Sequence, residues 1–158
     1  MKTTNAKRPP LHALPRLMYH IDRDEMALGS AAYNAEKAEL RVVLAGVCPE
    51  GSAARNLFHA LSDWLELILL TAESQEVTAL HLDFSGFHYT WGDGMLGIMQ
   101  QLGNYKRQGL RPGRTAGEVS IGTQTPALTL VVHSDNIKAY QPCFAMIANE
   151  KARNLVVV

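Results

Sequence analysis

Residues 80–95 read Leu80-His-Leu-Asp-Phe-Ser-Gly-Phe-His-Tyr-Thr-Trp-Gly-Asp-Gly-Met95. Leu80, Leu82 and Phe84 fall on alternate positions, the period of a strand with one buried face. Gly86 marks its end. Asp93 then stands between Gly92 and Gly94 as an N-cap, and Met95, Ile98, Met99, Leu102 and Tyr105 follow at helical spacing as far as Gly109. Strand, glycine-rich loop and helix start, in that order, open a βαβ unit. The first N–H groups of such a helix lack intrahelical partners, so the loop suits a phosphate, a carboxylate, a developing oxyanion or its own capping carboxylate. Asp93 supplies the last of these. No Walker-type or dinucleotide glycine pattern accompanies it.

Upstream, Leu40-Arg-Val-Val-Leu-Ala45 is a β-branched run closed by Gly46 and predicts a strand. Ser52 stands at an N-cap position. Ala54, Leu57, Phe58, Leu61, Trp64, Leu65, Ile68 and Leu69 then form one wide apolar stripe, which predicts a core-facing helix over 53–72. Residues 17–21 predict a first edge strand, and the polar, Ala-rich residues 22–39 carry no clear period. Downstream, 110–127 reads as loop with a short strand at 119–121. A strand follows at 128–132, then a weak helix at 137–150 that contains Pro142, and a final strand at 154–158. Residues 1–16, with Pro9, Pro10 and Pro15 and no acid, read as a flexible tail ahead of one domain over 17–158.

Alternating strands and helices predict an α/β fold built on a mixed or mostly parallel sheet. Arg41, His81 and Asp83 occupy the other face of their strands, so the helices are expected largely on one side. A chain of 158 residues fits one domain with a full core. Lys plus Arg number 15 and Asp plus Glu number 15, a formal net charge of zero that disfavours nucleic acid as a partner. Cys48 and Cys143 have no metal-ligand spacing and make no disulfide framework, which fits a reduced interior. No apolar run near the N-terminus resembles a signal-peptide core, and residues 64–70 are short and interrupted by Glu66. The expectation is a cytoplasmic protein without membrane insertion.

The side chains that carry chemistry are few. His12, His20, His59, His81, His88 and His133 do not pair at metal-ligand spacing, so neither a metal nor another cofactor is expected. His88 and Asp93 would make an acid–base pair at the loop mouth, against the plainer reading of an exposed histidine beside a cap. Cys143, next to Phe144-Ala-Met-Ile147, reads as core rather than nucleophile. Lys106, Arg107, Arg111 and Arg114 form a local basic loop. Trp91, a large aromatic among glycines, serves either as a packed lid or as a binding anchor.

Leu82-Asp83-Phe84-Ser85-Gly86 resembles the Leu-Asp-Leu-Ser-Gly-like motif of the STAS domain, the fold of anti-sigma-factor antagonists. Gly94-Met95 falls where that family has Gly-Leu, and Lys106-Arg107-Gln108-Gly109 falls where its helix ends. The resemblance covers about 40–158. The family's phosphorylatable serine falls at Gly92 and the neighbouring serine at Asp93, so the usual switch is replaced by a fixed charge. Thr90 and Ser85 are nearby hydroxyls that match neither position. The resemblance implies a non-enzymatic regulatory module that binds a protein, such as a kinase-like regulator, through His88, Thr90, Trp91, Gly92, Asp93, Gly94 and Met95.

Tyr89-Thr-Trp-Gly-Asp-Gly-Met95 also resembles the oxyanion-hole turn of the crotonase (enoyl-CoA hydratase) superfamily. That implies an acyl-thioester binder or enzyme subunit in which backbone N–H groups at 92–95 meet a carbonyl oxygen. Gly94 departs from that family's Asp, and no second Gly-rich helix start follows residue 132. A deep apolar pocket behind the loop and a second donor from 128–136 would mark the crotonase-like case, and an exposed convex patch the interaction module. A third reading is a homo-oligomer that buries residues 154–158 as an otherwise bare sheet edge.

Overall fold

Three strands open the fold as an antiparallel meander: β1 (Leu17–His20), β2 (Met26–Asn34) and β3 (Glu39–Val47). Each later strand arrives by way of a helix. α1 (Ser52–Ala72) leads to β4 (Ala79–His88), α2 (Gly94–Asn104) precedes β5 (Ala127–Val132), and a 3-10 turn (Ser134–Asn136) with α3 (Ile137–Ala145) precedes β6 (Arg153–Val157). β3, β4, β5 and β6 pair in parallel, and all six strands lie side by side in chain order. The computed structural model describes residues 14–21, 23–72, 77–89, 94–104, 127–145 and 153–158.

The sheet has one covered face. Leu40, Val42 and Leu44 of β3, Leu80, Leu82 and Phe84 of β4, and Leu128, Leu130 and Val132 of β5 are buried. They meet the stripe of α1 (Leu57, Leu61, Trp64, Leu65 and Ile68) and that of α2 (Met95, Ile98, Met99 and Leu102). Each fully buried leucine contributes about 2 kcal/mol relative to exposure, so this seam outweighs intrinsic helix propensity. On the other face Arg41 and His81 are register partners, and the Arg41 guanidinium stands 3.9 Å from the Asp83 carboxylate. The expected α/β fold, with a mixed sheet and one-sided helices, is the fold observed.

Several boundaries differ from the expectation, each for a steric reason. β2 lies in the stretch where no element was legible. Its inward positions are Ala27, Gly29, Ala31 and Tyr33, and the first three are too small to register as an apolar period. Gly29 has no side chain because the Trp64 indole lies over it: a Cβ there would stand 2.5 Å from Trp64 Cη2. Asn34 then starts the turn into β3, its side-chain oxygen accepting from the N–H groups of Glu36 (3.0 Å) and Lys37 (3.2 Å).

Gly46 and Gly86 do not end strands; β3 and β4 run through both. Ser52 is the first helical residue rather than the cap. The Gly51 carbonyl, from a residue at φ +67°, accepts from the N–H groups of Ala54 (3.2 Å) and Arg55 (3.5 Å). Pro142 sits inside α3, where its ring leaves the exposed Lys138 without the helical donor to its carbonyl. The expected tail as far as residue 13, the strand at 119–121, the end of the second helix beyond 104 and residues 146–152 lie outside the described residues. Among the described residues no helix is long and apolar enough to cross a membrane.

Candidate binding cleft

The motif at 82–86 shapes the site by bending β4. Val43 pairs with Asp83 but Ala45 pairs with Gly86, so Leu44 alone faces the extra residue of a bulge. Asp83 Oδ1 holds the bulge by accepting from the Ser85 N–H (3.1 Å) and the Ser85 hydroxyl (2.6 Å). The bulge also resets the alternation. Phe84 is buried, then Phe87 and Tyr89, which leaves His88 exposed at the strand end. The Cys48 N–H donates to the His88 carbonyl (2.8 Å) and so fastens the end of β3 to the end of β4.

Above these strand ends lies a cleft of about 1030 Å³ between the N-terminal halves of α1 and α2. β3 and its following loop contribute Val47, Cys48 and Glu50; α1 contributes Ala54, Arg55, Phe58, His59 and Ser62; β4 contributes His88; α2 contributes Gly94, Gly97 and Ile98. Two hydrogen bonds pin the helices together below it. The Ser62 hydroxyl donates to Gln101 Oε1 (2.9 Å), and Gln101 Nε2 donates to the Ser62 carbonyl (2.9 Å). α2 comes close to α1 because its first residue has no side chain: a Cβ on Gly94 would overlap the Phe58 ring.

Gly97 is a different case. A Cβ there meets nothing within 4 Å, since it would enter the cleft. Gly97→Ala is therefore expected to stabilise the protein by about 0.5–1 kcal/mol through helix propensity alone. Urea denaturation measures it, and a loss would mean that the position is not open.

Behind the cleft runs an aromatic chain. Phe58 meets Tyr89 edge-on at 5.8 Å between ring centroids, and Tyr89 meets Tyr140 at 5.3 Å. Among the described residues the buried Tyr140 hydroxyl has no hydrogen-bond partner. Burial pushes its pKa far up from the ordinary phenol value, with Tyr89, Cys48 and Cys143 adding to the rise. An unsatisfied buried hydroxyl costs stability, so Tyr140→Phe is expected to gain about 1 kcal/mol in the same denaturation assay. A loss instead would reveal a partner for the hydroxyl.

The residues singled out from sequence separate clearly here. His88 and Gly94 border the cleft, and the Met95 side chain is buried in the core. Thr90, Trp91, Gly92 and Asp93, and with them the His88–Asp93 pair, lie outside the described residues. Cys143 is buried, as its neighbours predicted. Cys48 is half-buried in the cleft wall; its thiol donates to the Pro49 carbonyl at 3.4 Å, and burial raises its pKa. Among the described residues no three His, Cys, Asp or Glu side chains converge as a metal site.

No donor from residues 128–136 enters the cleft. Asn136 Nδ2 donates to the Phe87 carbonyl (3.3 Å), and His133 Nδ1 accepts from the Asp135 N–H (3.1 Å). Arg55 and His59 were not recognised from sequence. Their signal was present, as two polar side chains four residues apart beside the apolar stripe of the predicted helix. No protein family, curated protein or solved structure matches this chain.

Proposed function

We propose that the chain is a STAS-like, non-enzymatic interaction module that binds a regulatory protein through residues 88–95. The observation that carries this reading is the bulge at Asp83–Ser85, which turns His88 outward beside the start of α2 at Gly94. In this reading Trp91 serves as apolar anchor and Asp93 as fixed charge. A kinase-like or other cytoplasmic regulator is the partner class. Self-association through β6 belongs to the same reading, since among the described residues β6 pairs on one side only and exposes Val156 and Val157.

The test is capture on immobilised full-length protein from native lysate, with mass spectrometry, comparing wild type with Trp91→Ala and Asp93→Asn. One regulatory protein retained by wild type and lost by both folded variants supports the proposal. A protein set unchanged by either substitution sinks it.

The acyl-thioester reading stands second, on a specific observation: a cleft is lined by His88 and the start of α2, with Phe58 and Ile98 in its wall. The side chains at 133 and 136 weigh against it, because they are engaged with Asp135 and Phe87. Calorimetric titration with octanoyl-CoA separates the two readings.

A further inference from the structure

We propose that the cleft is a small-molecule site for an organic anion with an apolar body, its negative end held by Arg55, His59 and His88. This goes beyond the protein-interaction reading and is testable on the chain alone. The apolar side of the cleft is built from Phe58, Ala54 and Ile98, on facing surfaces of α1 and α2. The polar side is built from elements distant in sequence. Arg55 and His59 stand one turn apart on the exposed side of α1, and His88 comes from the end of β4.

Arginine presents a planar fork of donors that matches carboxylate or phosphate oxygens, and imidazole donates at least one N–H in either protonation state. The volume of about 1030 Å³ accommodates a metabolite-sized molecule rather than a bare inorganic ion. Among the described residues nothing lies within 4 Å of a Cβ on Gly97. Glu50 is the one acid among the described lining residues. Its carboxylate is a like charge to an anionic ligand in the same lining, so its removal should tighten binding.

The experiment titrates the full chain with octanoate, octyl phosphate and the uncharged control 1-octanol, followed by amide chemical shifts and calorimetry. The expected result is saturable binding of at least one anion, with shifts centred on Ala54 and Gly97, about tenfold tighter than octanol. Comparison of the two anions tells a carboxylate ligand from a phosphate ester. Arg55→Gln, at an exposed position where the fold is not at risk, should weaken the anion about tenfold, and Glu50→Gln should strengthen it about threefold. Gly97→Phe, its fold checked against Gly97→Ala by thermal midpoint, should abolish binding.

Equal binding of octanol, no saturable binding of either anion, or anion binding unaffected by Arg55→Gln overturns the proposal. Octanoyl-CoA bound while octanoate and octyl phosphate stay silent also overturns it, in favour of the acyl-thioester reading. A captured protein set unchanged by Trp91→Ala and Asp93→Asn while the anion still binds refutes the interaction reading alone, and the reverse refutes only this one.

Discussion

Replacing Trp64 by alanine is expected to cost about 4 kcal/mol of stability, as buried Trp-to-Ala changes do when the space cannot collapse. Trp64 is buried, and its indole lies on the backbone of Gly29 in β2. Its Nε1–H donates to the Pro15 carbonyl at 2.9 Å, which ties the segment before β1 to α1. Truncation removes both links at once. Gly29 of β2, against which the indole lies, has no side chain with which to fill the gap. Urea denaturation, monitored by circular dichroism, should show a large fall in midpoint at unchanged slope. A loss below about 1 kcal/mol would mean that the indole does not hold α1 to β2.

The second large effect is expected at Gly46, where alanine should cost about 3–5 kcal/mol from backbone strain plus overpacking. Its φ is +127°, a region closed to L side chains, and the added Cβ would overlap the Met26 carbonyl oxygen and lie 2.9 Å from the Ala27 Cα. Both obstacles are backbone of the paired strand, so no rotamer change relieves them. Gly51 is the internal control. Its φ is +67°, but nothing lies within 4 Å of its Cβ position, so Gly51→Ala should cost only about 1–2 kcal/mol. Similar losses at the two sites would show that conformation alone, and not the clash with β2, decides the matter.

These two residues also mark how far the chain could be read without coordinates. α1 was legible because its eight apolar side chains share one stripe and are large enough to register. The facing strand β2 was not, because its inward Ala27, Gly29 and Ala31 are small and carry no apolar period, Gly29 being small where the Trp64 indole lies on it. Glycines were the other source of error. Gly46 and Gly86 looked like punctuation, yet one is required by the close approach of β2 and the other follows a bulge that Asp83 and Ser85 stabilise. The run at 82–86 stood out in the sequence, and its local work is to reset the strand so that His88 faces out. The cleft was illegible for a different reason. Its walls come from three separate stretches, 47–62, 88 and 94–98, and their convergence depends on where Phe58 lets α2 settle.

The unbroken strand order has a consequence for how the molecule is made. Every strand pairs with the one that precedes it in the chain, so no segment must wait for a later one to be inserted beside it. The meander of β1, β2 and β3 closes through short local connections and can form while the remainder is still being synthesised. Each later strand then arrives on the margin left by its predecessor, and the helices between them land on the same side. During growth, the unsatisfied backbone edge left by one strand is the edge that the next one covers. Assembly can thus follow translation from end to end, with little time for that edge to find another chain.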